Sequence, residues 1–213
     1  EYTFLNYLRC HDDIGWGLDY ASLSRWGMEE VPHKKYLNDY FQGKVEGSVS
    51  RGELYNEDPV TGDARFCGTT ASMCGIESAG FEQDEEKMDW AIGKDIMLHA
   101  YMFTQSGIPM LYSGDEIGQV NDYTYKEDPD KAPDSRYIHR GKFCWDLTEK
   151  VEEKGSVQER IFHALSHLEK IRREEAVFNA DAEVYTKDYD DPSILWIVRR
   201  AGGEELHAVF NFS

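Results

Sequence analysis

The sequence predicts an α/β fold, and three observations point to it. An apolar, strand-like run at Thr3 to Cys10 and another at Ile108 to Tyr112 both stop at carboxylates and glycine. A helical period runs between them, and from Ala182 onward the period becomes that of strands. Strand, helix and strand with charged groups at both strand ends describe a parallel unit. The alternation after Ala182 opens a β-rich domain.

The first element is TFLNYLRCHDDIGW. Phe4, Leu5, Tyr7 and Leu8 favour a strand, whereas Asp and Gly do not, so His11 to Asp13 should sit where strand becomes loop. In a parallel α/β protein that edge carries chemistry. Arg9 and His11 are two residues apart and share a strand face, which sets a cation and an imidazole beside Asp12 and Asp13. Such neighbours can hold at least one aspartate ionised, and an ionised aspartate can stabilise a developing positive charge. A single Asp after a strand more often only ties down turn backbone.

A long excursion with many glycines and scattered aromatics follows Trp16. Within it His33 to Phe41 reads as a short helix, and Asp58-Pro59 with Thr61-Gly62 as turns. An insertion of this length reads as a lid or a site wall. Trp16, Trp26, Tyr123 and Tyr125 are the aromatic candidates for such a wall. Asp89 is expected to cap a helix in which Ile92, Ile96, Ala100 and Phe103 form one buried face, with Gly107 ending it and Pro109 barring its return. IPMLY at Ile108 to Tyr112 is then a second buried strand, delivering Asp115 and Glu116 to a loop. Adjacent residues on an extended strand face opposite ways, so these two are poorly placed as an acid/base couple.

Residues 119–140 are rich in Asp and turn formers, another long loop on the same edge; Asp58, Asp63, Asp128 and Asp130 read as turn residues. Val157 to Ala176 is a helix with Ile161, Leu165, Leu168 and Ile171 as its apolar stripe and Glu169, Lys170, Arg172 and Arg173 on a solvated face. AEVYTKDY and SILWIVRRAGGEELHAVFNFS then read as a strand and a hairpin turning at Gly202-Gly203.

Composition bounds the function. The chain has 213 residues, 40% hydrophobic and 30% charged, which is a globular balance. Its 23 Lys plus Arg against 41 Asp plus Glu give a formal charge of −18, which repels phosphate backbones and anionic membranes. Neither nucleic acid nor membrane is therefore an expected partner. Cys10, Cys67, Cys74 and Cys144 lack paired spacing and read as free thiols of a reducing, cytoplasmic compartment. A start within a strand and a stop directly after HAVFNF read as truncation at both ends.

Five segments carry a more specific resemblance: RCHDDIGW at Arg9 to Trp16, NDYFQGKVEGSVSRG at Asn38 to Gly52, TGDARFCGT at Thr61 to Thr69, GIPMLYSGDEIGQVND at Gly107 to Asp122, and DSRYIHR at Asp134 to Arg140. In these the chain resembles the carboxyl-terminal part of glycoside hydrolase family 13, most closely the amylosucrases. The resemblance implies the C-terminal portion of a (β/α)8 TIM barrel, its last two βα units interrupted by an inserted subdomain, followed by an all-β domain. Residues 1–15 would hold the seventh strand, 16–88 the inserted subdomain lining the site, 89–180 the rest of the barrel, and 181–213 the start of the β domain.

By the same resemblance, His11 and Asp12 are the catalytic pair that grips the glucosyl ring at the point of cleavage, Asp12 supporting the oxocarbenium-like transition state. Asp13, Arg65 and Arg136 are implied as substrate-binding on the acceptor side, and Arg9 is placed with them; lysine would be a poor substitute for either fork, Arg65 or Arg136. No metal or cofactor is implied. The substrate is an α-glucoside such as sucrose or an α-glucan. Retaining cleavage needs a nucleophile and an acid/base carboxylate about 5 Å apart. Both are expected upstream of Glu1, so the isolated chain is expected to be inactive and to need the missing part of the barrel or a second copy beside it. Gly17-Leu18 stands where amylosucrases have a bulkier aromatic, which leaves α-glucosidase, α-amylase and sucrose hydrolase as relatives with the same frame.

Two readings of other classes compete. His-Asp also suits a metal phosphohydrolase, and His163 and His167 have the i, i+4 spacing of a ligand pair, but HALSH lacks the glutamate of a zinc protease motif. The other alternative is a non-catalytic carbohydrate-binding module.

Overall fold

The computed structural model describes residues 3–213. β1 (Leu5–Asn6) is short and leads into a small antiparallel sheet. That sheet is made of β2 (Ile14–Gly15), β3 (Glu53–Tyr55) and β4 (Arg65–Cys67) in the order β2-β4-β3. Between β2 and β3 lie helices α1 (Tyr20–Leu23) and α2 (Glu30–Phe41). After β4 come α3 (Thr70–Cys74), α4 (Ile76–Glu82) and the long α5 (Glu85–Thr104), and then β5 (Ile108–Pro109). β5 returns parallel to β1 with Leu5 opposite Ile108, so α5 connects two parallel strands. Beyond β5 the chain runs through 3-10 turns to α6 (Trp145–Glu149) and α7 (Val157–Glu174). It ends in the antiparallel sheet β6 (Glu183–Lys187), β7 (Ile194–Ala201) and β8 (Glu204–Asn211).

The core lies where α5 meets α7: Ile92, Met102 and Phe103 pack on Ile161 and Leu165, with Ala71 and Ile76 closing the side. A second cluster of Cys67, Tyr125 and Ile138 fastens β4 to the turns that follow β5. Close approach explains Gly52, because a Cβ there would run into the Phe66 ring. Gly107 has φ 122°, a conformation open to glycine, and lies against the Phe4 carbonyl.

Several expectations are corrected. The cap of α5 is Asp84, whose carboxylate accepts from the Lys87 N–H, while Asp89 lies inside the helix and pairs with Arg160 at 2.6 Å. α2 begins at Glu30, three residues before His33. The two parallel strands are only two residues long and their apolar residues are not buried: Phe4, Leu5, Tyr7, Ile108 and Met110 are all exposed. Asp115 and Glu116 stand in a 3-10 turn, not on an extended strand. Asp63 is an ion-pair partner of Lys34, at 2.6 Å, as well as a turn residue. Arg172 leaves the solvated face of α7 and caps the end of α5, donating to the carbonyls of Phe103, Gln105 and Gly107. Arg199 ties the last sheet to the same place through the Thr104 carbonyl at 2.9 Å.

The acidity has a local use. Asp19, Asp58, Asp122, Asp128, Asp134 and Asp191 each accept a backbone N–H two residues on, shaping the turns that a long irregular excursion needs.

Candidate functional site

The sequence changes character at Arg9, and so does the structure. Arg9 is buried, its Nε donating to Asp115 Oδ1 at 2.7 Å, its Nη1 to the His139 carbonyl at 3.4 Å, with its guanidinium 4.5 Å from the Tyr112 ring centroid. The sequence places Arg9 with the substrate-binding groups; in the structure it lies beneath the surface, with Nε and Nη1 donating to protein. Behind it Asp115 Oδ2 is 4.0 Å from His99 Nε2, and His99 Nδ1 faces the Asp95 carbonyl at 2.9 Å and Asp95 Oδ1 at 3.1 Å. Burial pushes the Asp115 carboxyl up, and the Arg9 charge opposes that rise.

Above this buried chain the next residues emerge into solvent. The side chains of His11 and Asp12 are 68% and 52% exposed, with His11 Nε2 3.3 Å from Asp12 Oδ2. Asp12 Oδ1 faces two guanidinium groups, Arg140 at 3.3 Å and Arg136 at 3.7 Å. Asp13 points toward β4, its Oδ2 3.6 Å from Arg65 Nε. Gly15 pairs with Arg65 in the β2–β4 ladder, which explains how a residue so distant in sequence arrives here.

Arg136 is oriented by its own turn. Its Nε and Nη2 donate to the two oxygens of Asp134 at 2.9 and 2.8 Å, and its guanidinium lies 4.4 Å from the Tyr55 ring centroid. The Arg136 fork holds the Asp134 carboxyl below the usual carboxylate range. Arg65 is less committed: beyond Asp13 it donates to the Ala64 carbonyl, and half of its side chain is open to solvent.

Five of the six sequence-predicted residues, His11, Asp12, Asp13, Arg65 and Arg136, thus meet on one edge of the protein. Arg140, His139 and Asp134 join them and were given no role by the sequence, although all three stand in DSRYIHR. Arg140 holds the turn directly, its Nε donating to the His11 carbonyl at 2.5 Å. Of the aromatic candidates, Trp16 stacks on Phe41 at 4.9 Å and donates to Asn38, and Tyr125 is buried. Trp26 and Tyr123 remain exposed.

Chemically the edge offers carboxylates, an imidazole and planar guanidinium forks, groups able to hydrogen-bond adjacent hydroxyls. Three arginines (Arg65, Arg136, Arg140) stand against three aspartates (Asp12, Asp13, Asp134), so the charge is locally balanced. Cys10, His11 and Asp12 also bring one donor atom each within 4.8 Å of one another. A dication there would face the Arg136 and Arg140 charges on Asp12, and Cys10 Sγ already accepts the Asp12 N–H at 3.4 Å, so the donor set fits a metal poorly. His163 and His167 are both exposed on α7. A cleft of about 920 Å³ between α5 and the end of β8, lined in part by Trp90, Lys94 and Phe212, holds none of these site residues.

No family model matches the chain. Glucosylglycerate phosphorylase of Escherichia coli (strain K12) is 30% identical over 214 residues, covering 99% of this chain and 34% of that protein. Among solved structures, the crystal structure of sucrose 6F-phosphate phosphorylase from Thermoanaerobacter thermosaccharolyticum matches with a TM-score of 0.58 and 17% identity. That match covers 96% of this chain and 40% of the other. The chain therefore spans about a third of the curated relative. The solved structure shares its α/β fold.

Proposed function

We propose that this chain is the carboxyl-terminal portion of an α-glucoside-active enzyme of glycoside hydrolase family 13, amylosucrase-like in frame. It would use sucrose or a related α-glucoside as glucosyl donor. In this reading β1 and β5 are the seventh and eighth barrel strands, residues 16–88 the inserted subdomain, and the sheet β6–β8 the opening of the C-terminal domain. The parallel pairing of β1 with β5 across α5 supports that placement.

One observation carries the functional reading. His11, Asp12 and Asp13, on the loop that follows β1, converge with Arg65 and Arg136 from distant segments. His11 and Asp12 take the glucosyl ring, and the Asp12 carboxylate stabilises the oxocarbenium-like charge as the glycosidic bond breaks. Asp13 and Arg65 face the acceptor hydroxyls, and Arg136 holds Asp12 and the acceptor in register. The nucleophile and the acid/base are supplied by other barrel strands, and the covalent glucosyl-enzyme is intercepted by whichever acceptor the site admits.

A second reading differs in that acceptor. The relative that is 30% identical is a phosphorylase, which favours inorganic phosphate. The balance of three arginines by three aspartates favours a neutral sugar. The test is the full-length protein given sucrose with and without inorganic phosphate. Fructose released equally in both arms, with glucosyl transferred to sugar or water, supports the first reading; glucose 1-phosphate formed only with phosphate supports the second. No turnover of any α-glucoside in either arm would overturn both.

A further inference from the structure

His139 is a buried histidine for which the proposed chemistry has no use, and its contacts are unusually directed. Its Nδ1 lies 3.1 Å from the backbone nitrogen of Gly68, which can only donate, so Nδ1 is the accepting nitrogen. The ring hydrogen then sits on Nε2, which is 3.3 Å from the His11 carbonyl oxygen. The residue's own carbonyl accepts from Arg9 Nη1. One side chain therefore spans the loop after β1, which carries His11 and Asp12, and the residue that follows β4, the strand that begins with Arg65. The segments it joins are 71 and 128 residues away in sequence.

We propose that His139 is a positioning residue, a neutral imidazole protonated on Nε2 that sets the His11–Asp12 turn against the strand bearing Arg65. The opposite tautomer would aim a hydrogen at the Gly68 N–H and leave a lone pair facing the His11 carbonyl, losing both bonds. A doubly protonated ring would lose the Gly68 bond alone. The groups facing the ring agree with neutrality: burial and the charges of Arg9 and Arg140 push it down to about 4, against the His11 carbonyl and Asp13. The assignment is one of local geometry and stands whether or not the chain acts on a glucoside.

Two substitutions separate the bonds. Asn places an amide oxygen near the position of Nδ1, and Gln places an amide N–H near that of Nε2. In His139→Asn the Gly68 amide should keep its hydrogen-exchange protection within about twofold, while the carbonyl carbon resonance of His11 moves. In His139→Gln the His11 resonance should hold while Gly68 exchange accelerates about tenfold, the loss of one buried hydrogen bond. Both reporters moving together in both variants would mean that His139 is only packing, and would overturn the proposal, as would neither moving. Should a variant fail to fold, the nitrogen spectrum of the unmodified protein decides. A ring protonated on Nε2 alone at neutral pH supports the proposal, and a ring protonated on Nδ1 refutes it.

Discussion

Arg9 and Asp115 lie 106 residues apart in sequence and meet with Nε 2.7 Å from Oδ1, both side chains sealed from solvent. The pair joins the end of β1 to the turn after β5, so the two parallel strands are fastened at the edge where the exposed carboxylates emerge. Removing one partner strands the other as a buried charge. Asp115→Ala should therefore cost about 3–5 kcal/mol, read from guanidinium unfolding, while a double exchange to apolar residues of similar volume costs far less. A loss below about 1 kcal/mol for the single variant, the size of a surface pair, would mean that the charge of Arg9 finds water.

His99 gives this region a pH dependence whose sign is fixed. Burial alone depresses its imidazole, but the Asp95 hydrogen bond and the charges of Asp95 and Asp115 outweigh that and raise it above 6.5. A raised histidine contributes stability that is full below its unfolded value and fades as pH climbs through the folded one. Cys74 nearby stays a neutral thiol, because burial pushes it well above the ordinary range. The denaturant midpoint should fall as pH rises above about 6.5, and His99→Gln should flatten that slope. An unchanged slope in the variant refutes the assignment.

Asp12 is half exposed on a loop, so little stability should depend on it. In the full-length protein Asp12→Asn should lower kcat by about 10²–10³, the worth of one preorganised charge, with the melting temperature unmoved. Activity surviving within threefold of the parent would remove Asp12 from the chemistry.

Arg136→Lys tests the fork. Lysine has a single nitrogen in place of the Nε–Nη2 fork that meets the two Asp134 oxygens, and no planar group to lie flat on Tyr55. In the full-length protein KM for the acceptor should rise about tenfold with a smaller change in kcat, the split expected of lost uniform binding. A fall in kcat alone would place Arg136 at the reacting centre.

Gly52→Ala probes the second core cluster. A methyl there meets the Phe66 ring and the Cys67 carbonyl, and overpacking of that kind costs about 1–3 kcal/mol. Burial pushes the Cys67 thiol up to about 12. Thermal melting should report the loss, and alkylation of Cys67 should become measurable as the cluster loosens.

The periodic elements were legible because their signal is local. Ile92, Phe103, Ile161 and Leu165 fall at the core as the helical period requires, and the final hairpin turns at Gly202-Gly203. The site was legible as a set of segments, since His11, Asp12, Arg65 and Arg136 stand beside glycine, proline and aspartate that mark loops. What sequence could not supply was pairing across distance. Nothing in LRCHDD says that Arg9 turns inward to Asp115, or that His139 reaches both Gly68 and His11. Asp84 won the cap from Asp89 because α5 starts about two turns before its apolar stripe, with Glu85 and Glu86 in a first turn that favours acids. The exposure of Phe4 and Ile108 is likewise invisible in their apolar identity.

The aspartates that bend the loops have a consequence for the surface. At Asp58, Asp122, Asp128 and Asp191 the turn uses one side-chain oxygen as an acceptor for a nearby N–H. Asparagine offers the same oxygen at the same reach, whereas glutamate overshoots it. Colloidal behaviour and shape are therefore separable at these positions. A lineage can dial its net charge up or down through Asp-to-Asn exchange in the loops and leave every backbone path as it is.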